Sequence, residues 1–368
     1  MRILLVAGSY PPEPCGVGDY TEKLANSLAA LKGFYVGVLT TSGSGRKSTN
    51  TSPVELMETA LKWNFFELPK LICAIRQWKP DLVHIQYPSQ GFLFRRLPSF
   101  LPLLIRLLGI KVIQTWHEPH RMRGALHFLL QTLGASGLIF VRPNYLDLIP
   151  AQFGRLIKRI HKVTILNASS LPTSSLDETM RLELRSGYVG SHKRLVVFFG
   201  FLYPSKGIEL LFDIANSVSD FLIIAGAAKD SAYMHELSAL AQAKGWREDH
   251  MRFTGFLSPQ DAADLLMIAD AVVLPFLDGG GEWNTSIHSA LAQGTLVITT
   301  SVPPRGDDSQ RNLFTAAPSD IYEMRAALDR LAGRRRAPIS AEKQWQRIAM
   351  AHVDFYRRCT CSELMETT

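Results

Sequence analysis

The feature that most constrains this chain is the alternation of short apolar segments with amphipathic stretches, which runs through its 368 residues in two series. The short segments have the length of buried strands, whereas the longer stretches repeat apolar residues at helical spacing. Strands that alternate with helices favour a parallel sheet covered by helices on both faces. The predicted strands are 2–7, 35–39, 82–86, 111–115, 138–141 and 162–166, then 195–200, 221–225, 251–253, 271–275 and 295–300. The predicted helices between them include 20–30, 65–77, 207–217, 231–243, 259–268, 285–293 and 321–331.

The break between the two series indicates where the domains divide. Residues 171–192 are rich in Ser, Thr and Gly, and we predict that they form a linker. Single cores rarely grow past roughly 250–300 residues, which favours two domains here. We therefore predict an N-terminal domain at 1–170 and a C-terminal domain at 193–340. Residues 341–358 are predicted to form a helix that packs back across the domains, since their apolar residues follow helical spacing.

Composition and charge narrow the class of protein. The four cysteines are too few for a disulfide framework, and Cys359 and Cys361 lack the companion ligands of a zinc site, so we expect no metal. The net charge is +7, and the first 172 residues hold 20 Lys and Arg against 9 Asp and Glu. That basic half suits an anionic membrane or a phosphate-bearing partner, with scattered surface charge as the alternative. No motif for nucleic acid is present.

Targeting and spanning segments are not expected. The apolar start of the chain is shorter than a signal sequence requires, and the apolar stretch 91–110 is interrupted by arginines and prolines. We predict a cytoplasmic protein, with contact at the inner face of the membrane as an open alternative.

Candidate site residues follow the predicted strands, because ligands of open parallel sheets bind beyond the carboxyl ends of the strands. In the first series, Gly16, Val17 and Gly18 open a helix after the first strand, where backbone N–H groups can approach an anion. His117 and Glu118 follow the strand at 111–115 and form a candidate pair for orienting an acceptor. A plain turn and a structural histidine remain the alternatives.

In the second series, Lys206 follows the strand at 195–200 and can reach a diphosphate as a point charge. The segment DGGGEWNTS at 278–286 joins a strand to a helix that Asn284, Thr285 and Ser286 can cap. Exposed N–H groups and the positive end of that helix would seat an anion. A surface lysine and a flexible loop are the alternatives.

Taken in order, these segments resemble glycosyltransferase family 4, whose members have the GT-B fold. The resemblance covers nearly the whole chain and rests on the loop and helix at 16–28 and on five further motifs. These are DLVHIQYP at 81–88, QTWHE at 114–118, GFLYPSKGIELLFDIA at 200–215, RFTGFLS at 252–258 and LPFLDGGGEWNTSIHSALAQGTLVITT at 274–300.

The resemblance implies an α/β fold of two doubly wound Rossmann-like domains facing a central cleft. It implies retaining, metal-independent hexosyl transfer from a UDP- or GDP-linked sugar, without a further cofactor, to a saccharide or lipid-linked saccharide in polysaccharide or glycoconjugate synthesis. The donor diphosphate would lie near Lys206 and the N–H groups of residues 284–287, which include Ile287. His117 would lie beside the sugar and acceptor, and Gly16 near the diphosphate. Gly200 and Phe201 would line the donor site, and Gly255 and Phe256 would hold the base.

Three departures from the family pattern bear on activity. Phe201 stands where the family usually has Arg, and Ser289 stands at the second Glu of the E-x7-E motif. The first Glu falls at Gly281, and Glu282 could replace it after a one-residue shift. Ser289 could still bond a ribose hydroxyl, but more weakly than a carboxylate. Phe201 and Ser289 keep open the alternative of a non-catalytic GT-B relative acting as a binding subunit. Another enzyme with two Rossmann-like domains, such as a nucleotide-sugar epimerase or an NAD-dependent oxidoreductase, is a further alternative, although the missing dinucleotide fingerprint weighs against NAD.

Overall fold

The computed structural model describes residues 1–13, 15–41, 53–60, 62–87, 90–93, 95–118, 125–228 and 230–361. The chain divides into two units. Unit 1 comprises Met1–Leu166 together with the described part of Trp345–Thr368, and unit 2 comprises Asn167–Gln344. Pro88, which ends the motif at 81–88, lies outside the described residues.

Unit 1 is built on a seven-stranded parallel sheet in the order β3-β2-β1-β4-β5-β6-β7. Its central strands are apolar because helices flank both faces of a sheet of this kind. The order reverses between β1 and β4, which is the switch point where such sheets bind ligands. The strands are β1 (Arg2–Val6), β2 (Tyr35–Thr41), β3 (Val54–Ala60), β4 (Leu82–Tyr87), β5 (Lys111–Trp116), β6 (Ala135–Phe140) and β7 (His161–Thr164).

Unit 2 repeats this plan with a second seven-stranded sheet in the order β10-β9-β8-β11-β12-β14-β13. All its pairings are parallel except that of β13 with β14. Its switch point lies between β8 and β11. The strands are β8 (Arg194–Phe199), β9 (Asp220–Ala225), β10 (Met251–Gly255), β11 (Ala271–Leu274), β12 (Val297–Thr300), β13 (Gly306–Asp308) and β14 (Leu313–Ala316).

The helices connect these strands in the manner expected of βα repeats. Those of unit 1 are α1 (Gly16–Ala29), α2 (Leu68–Trp78), α3 (Leu97–Leu107), α4 (Ala125–Thr132) and α5 (Ala151–Gly154). Those that begin in unit 2 are α6 (Glu178–Val189), α7 (Leu211–Ile214), α8 (Ser231–Ala243), α9 (Pro259–Ile268), α10 (Thr285–Ala292), α11 (Ile321–Leu331) and α12 (Ala341–Cys361). Short 3₁₀ turns lie at Phe65–Glu67, Gln90–Phe92, Tyr145–Leu148, Pro204–Lys206 and Ile208–Leu210.

The predicted α/β architecture with two parallel sheets is confirmed, and the differences are local. Residues 171–192, predicted as a linker, belong to unit 2 and contain α6. That helix begins where the Asp177 carboxylate accepts a hydrogen bond from the Met180 N–H at 2.8 Å. Strands β3, β13 and β14 were not predicted. The predicted helix at 207–217 is instead a 3₁₀ turn followed by the single turn of α7.

Candidate functional site

The switch point of unit 2 begins with a close approach between two glycines. Gly200 follows β8 with a φ of +143°, and its N–H donates to the Ala225 carbonyl at 3.0 Å. A Cβ added to Gly226 would lie 1.8 Å from the Gly200 carbonyl oxygen, so a side chain is excluded there. The loops that follow β8 and β9 therefore pack closely against each other at the strand ends.

Lys206 is positioned by the loop that follows β11. Gly207 ends its turn with a φ of +64°, and a Cβ there would lie 2.2 Å from the Pro275 carbonyl oxygen. The Leu277 N–H donates to the Ser205 carbonyl at 3.1 Å, and the Lys206 ammonium lies 4.6 Å from the centre of the Phe276 ring. The loops that follow β8 and β11 therefore pack against each other, and the Lys206 ammonium lies over the face of the Phe276 ring.

The start of α10 adjoins the same loop. The Gly281 N–H donates to the Asn284 side chain and the Asn284 N–H donates to the Gly281 carbonyl, both at 2.9 Å. Within the described residues, the N–H groups of Thr285 and Ser286 have no acceptor. The Cβ position of Gly200 lies 3.9 Å from that of Ser286. Free N–H groups at the positive end of a helix, beside an open glycine, are features that anion-binding sites commonly have.

Glu282 and Ser289 lie differently from what the family pattern implies. The Glu282 carboxylate forms an ion pair with Arg311 at 2.6 Å. The backbone carbonyl of Glu282 accepts a hydrogen bond from His288 Nε2 at 2.9 Å. Burial lowers the pKa of His288. Ser289 is fully buried, and its hydroxyl accepts a bond from Ser169 at 3.4 Å. A ribose could contact Ser289 only after this packing opens. Ile287 is also buried and packs in the core.

The predicted base-binding residues lie beside the Gly200 loop. A bulge interrupts the pairing of β10 with β9, and Gly255 has a φ of +69° and bridges to Gly226. Phe256 is 66% exposed, which leaves an aromatic face free to stack on a planar ring. Phe201 is half-buried, with its ring centre 6.3 Å from that of Tyr203.

In unit 1, α1 begins at the predicted glycines. Gly18 is buried, and a Cβ there would lie 3.1 Å from the Ser9 carbonyl oxygen, so the helix start packs tightly on the loop after β1. Gly16 is exposed, with open space around its Cβ position, and Val17 is half-buried. Burial raises the pKa of the neighbouring Asp19 to about 6.

His117 follows β5 directly, as predicted. Its N–H donates to the Tyr87 carbonyl at 2.9 Å, and its ring lies edge-to-face with Tyr20, 4.7 Å between ring centres. Burial, and to a lesser degree the nearby His352, lowers the pKa of His117 to about 3. Its ring is therefore neutral at physiological pH.

The partner of the His117 ring is not the predicted one. His117 Nε2 bonds to the Gln86 side chain at 2.9 Å. Glu118 is exposed, and its backbone carbonyl accepts a bond from the Tyr145 hydroxyl at 2.6 Å. No hydrogen bond in the described part of the chain joins its carboxylate to His117. No local pattern identifies Gln86 as this partner, because an alternating strand position by itself indicates only burial.

Neither metal sites nor spanning helices emerge from the part of the chain that the structure describes. No three metal-ligating side chains cluster there, and no described helix has both the length and the apolarity to cross a membrane.

The two Rossmann-like sheets, each with a switch point, define a protein of the α/β class whose sheets commonly bind nucleotides at such a point. The family model "Glycosyltransferase Family 4" matches residues 14–161, and the model "Glycosyl transferases group 1" matches residues 193–334. Between them the two models match most of both units. The chain therefore belongs to the group 1 and family 4 glycosyltransferases, and the expected GT-B fold is confirmed.

Curated relatives match part of the chain. The alpha-D-kanosaminyltransferase of Streptomyces kanamyceticus is 26% identical over 168 residues, 44% of this chain and 40% of that protein. YtcC of Bacillus subtilis (strain 168) is 25% identical over 182 residues, 46% of this chain and 42% of YtcC. The matched segments thus span about two fifths of each relative's length.

Solved structures share the fold over the whole chain. Sucrose-phosphate synthase from Thermosynechococcus elongatus superposes with a TM-score of 0.73 at 16% identity, covering 98% of this chain and 100% of that one. HepE from Anabaena, solved with UDP-glucose, gives a TM-score of 0.67 at 16% identity and covers all of both chains.

Proposed function

We propose that the protein transfers a sugar from a UDP- or GDP-linked donor to a hydroxyl of a saccharide acceptor, with retention at the anomeric carbon. The observation that carries this proposal is the anion seat in unit 2. There, the Lys206 loop and the start of α10 flank the same segment, and the free N–H groups of Thr285 and Ser286 lie beside Gly200. The UDP-glucose bound to HepE, which has the same fold, supports a nucleotide-sugar ligand of this kind.

The chemistry assigned to this seat is stabilisation of the leaving group. In the transfer, the bond from the anomeric carbon to the diphosphate breaks, the acceptor oxygen bonds to that carbon, and the hydroxyl proton passes to the departing phosphate. Negative charge grows on the diphosphate as the bond breaks. An ammonium and preorganised N–H groups stabilise that charge without reorganising.

His117 is proposed to orient a hydroxyl of the sugar or acceptor. Its pKa of about 3 keeps the ring neutral, so it bonds a hydroxyl and contributes no positive charge to a phosphate. The negative charge on the diphosphate is then stabilised by Lys206 and by the N–H groups at the start of α10. The exposed ring of Phe256 is proposed to stack on the base.

Calorimetric titration with UDP, GDP and ADP tests the donor site. We expect one of the three to bind selectively and Lys206→Ala to weaken its binding by about 10- to 100-fold, the value of one charge-assisted contact. Lys193→Ala is the matched control, because Lys193 precedes β8 whereas Lys206 follows that strand. Equal binding by the wild type and Lys206→Ala would remove Lys206 from the site.

A second candidate function is that of a non-catalytic binding subunit. Two observations favour it. Ser289 carries no carboxylate and is buried, and the Glu282 carboxylate is paired with Arg311, so the E-x7-E segment holds no free carboxylate. Absence of binding to all three nucleotides would support this alternative. Conversion of a nucleotide-sugar to its epimer, without an acceptor, would instead identify an epimerase.

The acceptor is proposed to be lipid-linked, presented at the anionic inner face of a membrane. Most apolar residues of α3 are buried, which accounts for the apolar stretch there. Phe66 is nevertheless 95% exposed, Leu107 is 74% exposed, and Arg95 and Arg96 lie exposed just before α3. Phe65 contacts Phe100 of α3, so the neighbouring exposed Phe66 adjoins the basic segment that contains Arg95 and Arg96.

Sedimentation with vesicles that contain anionic lipid tests this surface. Arg95→Glu together with Arg96→Glu should abolish binding, and raised salt should weaken binding of the wild type. Arg76→Glu with Lys79→Glu, exposed near the end of α2, provides a control of equal charge change. Vesicle binding unaffected by the Arg95 and Arg96 changes would end the membrane proposal.

A further inference from the structure

A cluster of polar side chains is buried in unit 1 behind His117. Three come from adjacent strands, one from α1 and two from α12, and each is at most 2% exposed. The members are Tyr20, His84, Gln86, Thr115, His352 and Tyr356. Buried polar groups are costly unless they are satisfied, so such a cluster specifies one arrangement.

The α12 side of the cluster fixes Tyr20. His352 Nδ1 lies 2.8 Å from the Ile348 carbonyl, which can only accept, so Nδ1 carries the proton. His352 Nε2 is then an acceptor, and the Tyr20 hydroxyl donates to it at 3.2 Å. Tyr20 in turn packs edge-to-face against the His117 ring. His352 of α12 thereby fixes the Tyr20 ring, which packs against the candidate catalytic residue His117.

The sheet side of the cluster fixes Gln86. His84 Nδ1 bonds to the Tyr356 hydroxyl and its Nε2 bonds to the Thr115 hydroxyl, both at 2.7 Å. The amide nitrogen of Gln86 lies over this anchored ring, 3.2 and 3.4 Å from its two nitrogens. The amide oxygen is thereby directed at His117 Nε2.

An amide oxygen can only accept, so the His117 nitrogen that faces it must carry a proton. A neutral imidazole has a single N–H. His117 Nδ1 is therefore left with its lone pair, and no hydrogen bond to it occurs within the described residues. Nδ1 is the nitrogen that can accept from a substrate hydroxyl.

We infer that Gln86 is a positioning residue that holds His117 as the Nε2–H tautomer, and that α12 supports this arrangement through His352 and Tyr356. The structural part of this inference stands on the cluster alone. Its consequence for catalysis rests on the proposed function, because it requires that His117 orient a substrate hydroxyl.

Ring nitrogen spectra of ¹⁵N-labelled protein test the tautomer directly, with His117 assigned from the signal missing in His117→Gln. The wild type should show the Nε2–H form alone at pH 7. Gln86→Leu should give a mixture of the two tautomers, and Gln86→Glu, which keeps an acceptor at the same place, should restore the Nε2–H form. An Nδ1–H signal in the wild type would mean that the amide is reversed, and would overturn the inference. An unchanged spectrum in Gln86→Leu would overturn it equally.

Gln114→Leu is the matched control for fold damage. Gln114 is also a buried strand glutamine, but it bonds to the Gln131 carbonyl and accepts from the Trp116 ring. Its variant should lose stability and keep the wild-type tautomer of His117.

Kinetics then separate the two proposals. In Gln86→Leu, kcat should fall about tenfold, the value of one hydrogen bond, with the KM for the donor unchanged. Gln86→Glu should recover part of that loss. If the tautomer responds as expected but wild-type protein transfers no sugar, the proposed function fails and the positioning role stands. If transfer occurs with unchanged kcat in Gln86→Leu, the catalytic consequence of the positioning role is refuted.

Discussion

At the scale of single residues, Gly207 shows how a backbone requirement shapes the proposed donor site. It combines a positive φ with contact to the Pro275 carbonyl. Gly207→Ala should be more destabilising than Gly245→Ala, because Gly245 also has a positive φ but has open space at its Cβ. The φ alone costs about 1–2 kcal/mol in either variant.

Urea unfolding monitored by circular dichroism measures both losses. Equal free energies of unfolding for the two variants would mean that the contact with Pro275 contributes nothing.

The same scale shows what the sequence could predict of the site. Lys206 and His117 were located from the rule that ligands lie at the carboxyl ends of parallel strands, which needs only the strand positions. The partner of His117 required knowledge of three-dimensional contacts, since Gln86 is oriented by His84 and His84 by Tyr356, 272 positions further along the chain. The burial of Ser289 against Ser169 is another long-range contact that no local pattern indicates.

At the scale of elements, the geometry of the loop before α10 bears on the proposed anion site. The Asn284 side chain closes the loop onto Gly281. Asn284→Ala should therefore weaken binding of the nucleoside diphosphate severalfold, because the free N–H groups lose their fixed orientation. It should reduce stability by about 1 kcal/mol, the value of the hydrogen bond to Gly281, since the Asn284 side chain makes no cap bond to α10.

Ser258→Ala is the matched variant, since Ser258 caps α9 by accepting from the Asp261 N–H. It should lower stability by a similar amount while calorimetric affinity is kept. Parallel losses of affinity in both variants would show that the effect of Asn284 is general.

The sequence predicts helices that have a strong apolar periodicity, but not short strands that depend on pairing with a neighbouring strand. Helices α8, α9 and α11 match their predicted ranges because their apolar periodicity is local. Strand β3 lies at a sheet edge, where alternating polar residues weaken the signal of burial. Strand β13 has three polar or small residues and exists only through its antiparallel pairing with β14.

At the scale of the whole molecule, the buried histidines make unit 1 sensitive to acid. Burial lowers the pKa of His352 to about 4 and that of His117 to about 3, whereas an unfolded histidine titrates near 6.5. Between these values the unfolded chain binds more protons, so stability is complete above pH 6.5 and falls as the pH decreases. Asp19, with its pKa raised to about 6, opposes this trend with a single group.

His352→Gln should therefore lose less stability between pH 7.5 and pH 5 than the wild type does, by about 2 kcal/mol. Chemical unfolding at the two pH values gives the comparison, with His235→Gln, an exposed histidine, as the control. An identical pH dependence for the wild type and His352→Gln would exclude His352 as an acid-sensitive group.

Residues 345–361 belong to unit 1 but follow unit 2 in the chain, so unit 1 is completed last during synthesis. A ribosome releases all of unit 2 before it releases His352 and Tyr356, so the nascent first unit waits for these two buried hydrogen-bond partners. Until then Tyr20 and His84 lack those hydrogen bonds, and the first sheet is held in an incomplete state. A transcript that stopped before codon 345 would encode every predicted donor-site residue and still yield a chain whose first unit cannot close its polar core.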